Sequence, residues 1–206
     1  MNIGIAGIHT GIGKTVCSAV ICQALGYDYW KPVQAGDLEN SDSNFIRDHV
    51  TNPSCKIHPE RFRLLTPASP HYAASLEKIE IKREDFILPS TKNNLLAETA
   101  GGLMSPLAKN FLNIDLLPLL QLKTVLVSNN YLGSINHTLL SWEALRSKGI
   151  PLLGIVFVGE TVASTEEFIL EHTQLKKLFS IPLLKELSQK TIQQFASEKN
   201  ITLGIE

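Results

Sequence analysis

The sequence predicts an α/β protein built on a doubly wound, mainly parallel sheet, with a glycine-rich loop after its first strand. Three observations carry that expectation. Apolar runs of strand length alternate with segments of helical period. The stretch GIHTGIGKT stands between the first run and the first helical segment. Finally, 206 residues with 44% hydrophobic and 19% charged side chains suffice for one core without a split in two, so one domain over 1–206 is expected.

The strand candidates, in order, are Asn2–Ala6, Asp28–Val33, Asn94–Glu98, Thr124–Ser128 and Pro151–Val158, with a weaker one at Ser180–Leu184. These short apolar runs read as buried parallel strands. Helical period is clearest over Lys14–Leu25, Ile135–Lys148, Thr165–Phe179 and Ser188–Lys199. The stretch Glu39–Pro89 is less regular. It holds a helix near Asp42–Val50, a loop rich in Pro, Ser and Thr, and a charged segment Glu77–Asp85. A connection of that length inside one domain has structure or function of its own, and a lid or a subunit contact is expected.

Composition narrows the partners. A formal net charge of −1 leaves no electrostatic footprint for nucleic acid or for an anionic membrane, so small molecules are the expected ligands. Cys17, Cys22 and Cys55 are odd in number and lack metal-ligand spacing, which reads as reduced thiols. The N-terminal run MNIGIAGIHTG has no basic leader and is soon broken by glycines, so a cytoplasmic protein is expected.

In GIHTGIGKT the glycines let backbone N–H groups turn toward a phosphate chain, and the following helix presents its positive end. Lys14 can reach the β and γ oxygens, and the Thr15 hydroxyl can hold Mg²⁺. Gly11, Ile12, Gly13, Lys14, Thr15 and Val16 are therefore the nucleotide-binding candidates. The strict GxxxxGK[ST] pattern needs glycine at position 8, where Ile8 stands, so the match is to a variant one residue longer that starts at Gly7. The alternative is a strand-to-helix turn that binds nothing.

Ligands of such sheets lie beyond the carboxyl ends of the strands, which is where Lys31 follows the second run; a surface lysine is the alternative. Asp42 and Glu98 are hard oxygen donors that can complete a Mg²⁺ site with Thr15, although Ser41 or Asp42 before FIRDHV would equally cap a helix. In LGSINHTLLS a glycine turn opens a helix at Ser134 or Ile135, offering free N–H groups to an anion or forming a plain cap.

Six further segments, KPVQAG at 31–36, NSD at 40–42, SPH at 69–71, ETAGG at 98–102, LGSINH at 132–137 and GIVFVGE at 154–160, make the chain resemble the dethiobiotin synthetase family. The resemblance implies a Mg²⁺-dependent homodimer that joins CO₂ to 7,8-diaminopelargonate and closes the ureido ring with ATP, releasing ADP and phosphate. It implies catalytic roles for Lys31 and Lys14. It implies substrate contacts at Thr10, Lys31 and Ala35, and at Gly133, Ser134 and Asn136 donated across the subunit interface.

The chain departs from the family's pattern in places. Ala35 stands where relatives carry a hydroxyl, Lys185 where they carry glycine, and His9, without an assigned role, where many have Asp. Val158 replaces an asparagine that reads adenine, which leaves the preferred base of the nucleoside triphosphate open. His71 and His137 read as packing or interface residues rather than proton shuttles.

Three other classes compete. Amidotransferase ligases of corrin synthesis share the loop but need a glutaminase domain beyond these 206 residues. Partition and cell-division switch ATPases place a lysine where His9 stands. A degenerate nucleotide-binding regulator fits Ala35 and Val158 but not the retention of Lys14, Thr15, Lys31, Asp42 and Glu98.

Overall fold

The computed structural model describes residues 1–204. The first half runs β1 (Asn2–Gly7), α1 (Lys14–Leu25), β2 (Asp28–Trp30), β3 (Val33–Ala35), α2 (Asp42–His49), β4 (Ile57–His58), β5 (Phe62–Leu64) and α3 (Pro70–Leu76). The second half runs β6 (Leu95–Gly102), β7 (Pro106–Ala108), β8 (Phe111–Leu112), α4 (Asn113–Leu119), β9 (Lys123–Asn129), α5 (Ser134–Ser147), β10 (Leu152–Val158), α6 (Ala163–Thr173), β11 (Lys177–Ile181) and α7 (Gln189–Glu198).

Seven strands form one sheet in the order β11-β10-β9-β1-β6-β2-β4, and every pairing in it is parallel. Helices flank it, which is the doubly wound α/β fold the alternating pattern predicts. The inner strands are buried along most of their length: Ile3, Ile5, Leu95, Leu96, Val125, Leu126 and Val127 have no accessible surface. Burial of one such aliphatic side chain is worth about 1.5–3 kcal/mol, so these strands anchor the fold. No helix is long and apolar enough to cross a membrane among the described residues.

The expected run Asp28–Val33 is in fact two strands. Pro32 has no N–H to continue a ladder; its carbonyl instead accepts from Phe62 N at 3.1 Å, and β3 pairs with β5 in a separate parallel ribbon. The helical period over Thr165–Phe179 also overruns. Gln174 adopts a left-handed conformation (φ 56°) and caps α6, after which Lys177–Ile181 enters the sheet. The edge strand therefore lies three residues before the expected Ser180, and Pro182 follows its end. Within Glu39–Pro89 the structure adds β4, β5 and α3 to the expected helix, and Glu77–Asp85 ends in a single 3₁₀ turn at Arg83–Asp85.

At the amino ends of the strands a buried carboxylate clips three segments together. Asp28 on β2 accepts from His58 Nε2 (2.9 Å) on β4 and from Thr91 Oγ1 (2.8 Å), Lys56 N (3.0 Å) and Asn93 Nδ2 (2.9 Å). Burial alone would raise the Asp28 pKa, but these bonds outweigh it and hold the carboxyl below its ordinary range. A depressed pKa stabilises the fold above the unfolded value, near 3.9, and that contribution disappears as pH falls through the folded value. Asp28→Asn should therefore cost about 2 kcal/mol at pH 7, the scale of losing charge-assisted bonds. The difference from the parent should shrink below about pH 4 in denaturant titrations, as the parent's own carboxyl protonates. A gap that stays constant with pH would remove the clip from the stability account.

Candidate functional site

The loop between β1 and α1 turns on Gly13, which caps α1 with φ 91°. A Cβ there would stand 2.6 Å from Val158 Cγ1, so the loop packs directly on the carboxyl end of β10. Two causes, the left-handed backbone and this contact, each require glycine. Lys14 folds back into the loop and donates to the His9 carbonyl at 2.9 Å. Thr15, next on α1, points toward β6.

Parallel pairing sets Glu98 of β6 beside Ile5 of β1, at the start of the loop. Its carboxylate is saturated. Oε1 accepts from Thr15 Oγ1 (3.0 Å) and Lys31 Nζ (3.1 Å), and Oε2 from Ser18 Oγ (2.8 Å) and Tyr29 OH (3.0 Å). Ser41, not Asp42, caps α2: its hydroxyl accepts from Asn44 N at 3.3 Å. This settles the capping alternative and frees the Asp42 carboxylate, which accepts from Thr15 Oγ1 at 2.8 Å and pairs with Lys31 Nζ at 2.6 Å. Lys31 is 3% exposed, so it is not a surface lysine; its third proton goes to the Thr99 carbonyl at 3.1 Å.

The electrostatics follow from this packing. Burial pulls the Lys31 pKa down, but Glu98 and then Asp42 outweigh it and hold the ammonium charged above its ordinary range. Burial pushes Asp42 up, while Lys31, Thr15 and Lys14 bring it below the ordinary carboxylate range. Lys14 is different. Burial and then the Lys31 charge lower it to about 8, against the weaker pull of Glu98 and Asp42.

The Thr15 hydroxyl faces two carboxylate oxygens with one proton, so one of those contacts sets lone pairs against each other. A cation among the three oxygens removes the conflict. No group of three or more His, Cys, Asp or Glu gathers around a metal-sized point among the described residues. Two carboxylates and a hydroxyl nevertheless suit Mg²⁺, which is held by one or two carboxylates together with substrate phosphates.

Beside these groups opens a cleft of about 510 Å³ whose walls include Thr10, Lys31, Ala35, Asp42, Pro67 and Gly101. The sequence candidates Thr10, Lys31, Ala35 and Asp42 thus meet on one cavity. Gly133, Ser134 and Asn136 do not line it; they open α5, where Gly133 has φ 98° and the buried Ser134 hydroxyl has no hydrogen-bond partner among the described residues. His137 accepts or donates at Tyr131 OH (2.7 Å) and stacks 6.4 Å from His9, and His71 lies 3.0 Å from Ser69 Oγ. Sequence reading missed Ser18 and Tyr29. Both carried a periodic signal, since Ser18 is one helical turn beyond Lys14 and Tyr29 is two strand positions before Lys31.

Known proteins similar to this chain come from three comparisons. A family profile described as an AAA domain matches residues 1–191. Proteins named ATP-dependent dethiobiotin synthetase BioD from Brucella ovis and Brucella abortus are each 44% identical over 198 residues, covering 96% of this chain and 93% of theirs. A ParA family ATPase from Chlorobium tepidum TLS superposes with TM-score 0.57 at 15% identity, covering 96% of this chain and 99% of that one. The septum site-determining protein MinD from Pyrococcus horikoshii OT3, solved with Mg-ADP, gives 0.56 at 14% identity, covering 96% of each chain. At such identity the two structures speak for the fold alone.

The lowered Lys14 value yields a test. An anionic triphosphate on the loop favours the ammonium, so above about pH 8 binding must take up a proton. Affinity for ATP should be flat below that pH and weaken above it, approaching about tenfold per pH unit. Calorimetry in buffers of different ionisation heat measures the uptake. Lys14→Met should bind weakly with no such dependence, and a parent that takes up no proton at pH 8.5 would contradict the assignment.

Proposed function

The chain belongs to the family of ATP-dependent dethiobiotin synthetases, and from that premise we propose how its residues divide the work. The activity is the ATP-dependent closure of the ureido ring of dethiobiotin from 7,8-diaminopelargonate and CO₂, a step in biotin formation. The observation that carries the assignment of roles is the convergence of Lys31, Asp42, Glu98 and Thr15 between the phosphate loop and the cleft.

In this reading the backbone of Gly11–Val16 and the Lys14 ammonium hold the triphosphate, with its γ end toward Lys31. One substrate amine adds to CO₂ and loses a proton, giving a carbamate. A carbamate oxygen attacks the γ-phosphorus and the bond to ADP breaks. The second amine then attacks the carbonyl of the mixed anhydride, phosphate leaves, and the ring is closed. Because the substrate supplies its own nucleophiles, no covalent enzyme intermediate is needed.

Lys31 orients the carbamate and offsets negative charge on the transferring phosphoryl group. Thr15, Asp42 and Glu98 would hold Mg²⁺, which supplies charge neutralisation at the phosphate oxygens. The same two carboxylates pair with Lys31.

The substrate site is completed by a second copy of the chain. Gly133, Ser134 and Asn136 lie outside the cleft of their own subunit. Further along α5 a groove of about 640 Å³, walled by Ile8, Leu103, Met104 and Leu140, exposes the side chains of Met104 and Leu140. Leu132, fully exposed, immediately precedes Gly133. Pairing across this face would cover apolar surface and bring the start of α5 to the partner's cleft. Leu140→Asp should convert a sedimenting dimer to monomer and raise the KM for diaminopelargonate by about tenfold or more. A wild-type monomer that is fully active would end the dimer reading.

The purified protein supplied with diaminopelargonate, bicarbonate, Mg²⁺ and ATP should release dethiobiotin and phosphate in equal amounts. Lys31→Gln should lower kcat by about a hundredfold or more, the scale of removing one preorganised charge, with little effect on nucleotide affinity. Turnover within about threefold of the parent would show that Lys31 is structural only.

A further inference from the structure

We infer that Asn129 is the side chain that reads the nucleotide base, doing from β9 what Val158 cannot do from β10. The inference rests on the reading above that ATP occupies the phosphate loop. With the γ end directed at Lys31, Asp42 and Glu98, on the β6 and β2 side of β1, the nucleoside leaves the loop toward the other side of the sheet. There the strand order continues β9, β10, β11.

The carboxyl ends of those strands form a rim. Asn129, Val158 and Ile181 stand side by side in register as its last pairs. Residues in register on neighbouring strands face the same side of a sheet, so Asn129 shares the face on which Val158 meets Gly13 of the phosphate loop. Val158 presents only methyl groups. The Asn129 amide, half-buried beside it, makes no hydrogen bond to any described residue.

Its neighbour differs. Asn130 is committed to the scaffold, giving its amide protons to the Glu160 carbonyl (2.8 Å) and to Glu166 Oε1 (2.9 Å), and Lys177 neutralises that carboxylate from 2.7 Å. The rim is thus without an unpaired charge from this cluster and suits an uncharged ring.

The Asn129 amide lies against Gly159, where a Cβ would stand 3.1 Å from Nδ2 and 3.3 Å from Oδ1. Gly159 has φ 100°, which disfavours any side chain there and leaves the amide its place. An amide set edge-on to adenine accepts from the exocyclic amine and donates to the adjacent ring nitrogen.

The test removes either half of that pair. A fluorescent ATP analogue bound to the full-length protein is displaced by ATP or by purine riboside triphosphate, which lacks the exocyclic amine. For the parent, ATP should displace about tenfold more effectively, the value of one such hydrogen bond. In Asn129→Ala the two should agree within about twofold, and adding Val158→Asn should reopen the gap by restoring an amide to the same rim. An equal gap in parent and Asn129→Ala overturns the proposal, as does a parent that does not distinguish the two. Dethiobiotin formation is measured in parallel: its absence in the parent would refute the functional reading, while the displacement ratios still decide the role of Asn129.

Discussion

The Glu98 carboxylate is the interaction on which the site depends. It is 1% exposed, and its oxygens lie within hydrogen-bond distance of four side chains from different elements: Thr15 and Ser18 on α1, Tyr29 on β2 and Lys31 just beyond it. An ionised carboxylate in such a place is tolerable only when fully hydrogen-bonded and paired. The requirement works in both directions. It fixes Glu98, and through Glu98 it fixes the rotations of α1 and the end of β2 relative to β6. The phosphate loop precedes α1, so its position follows.

Charge balance explains why the arrangement holds together before any ligand arrives. Lys14 and Lys31 face Asp42 and Glu98, two positive groups against two negative, with Lys14, Lys31 and Glu98 buried. Taken singly, each would carry a desolvation cost of several kcal/mol. The ammonium of Lys31 stands among the carboxylates as a resident counter-ion.

Much of this was legible in the sequence. The helix Lys14–Leu25 was readable to the residue, because a glycine-rich loop before it and Gly26 after it bound a clean apolar period. Lys31 and Glu98 were legible as polar residues at the carboxyl ends of apolar runs, and Asp42 as a hard oxygen donor that could equally have capped a helix. What escaped has physical causes. The ribbon β3–β5 and the hairpin β7–β8 have strands of two or three residues, too short to show a period. The strand β6 runs on to Gly102 through Ala100-Gly101, a stretch of weak intrinsic strand preference where its register with β1 shifts before Gly102 meets Gly7. Helix α4 was hidden by Pro118 inside it. The end of α6 was invisible because Gln174 takes the left-handed conformation that a glycine usually marks. Which side chain would hold Glu98 in place was a matter of tertiary packing, and the hydroxyls of Ser18 and Tyr29 carried no motif of their own.

The break that Pro32 makes between β2 and β3 divides the support of the cavity unequally. The phosphate side is welded to seven strands, whereas the opposite wall at Pro67 hangs from a ribbon of three residues per strand, outside the main ladder. Mutations in that ribbon can reshape the wall at small cost to the scaffold. A lineage carrying this architecture is free to drift in what it accepts as substrate while the machinery that spends the triphosphate stays in place.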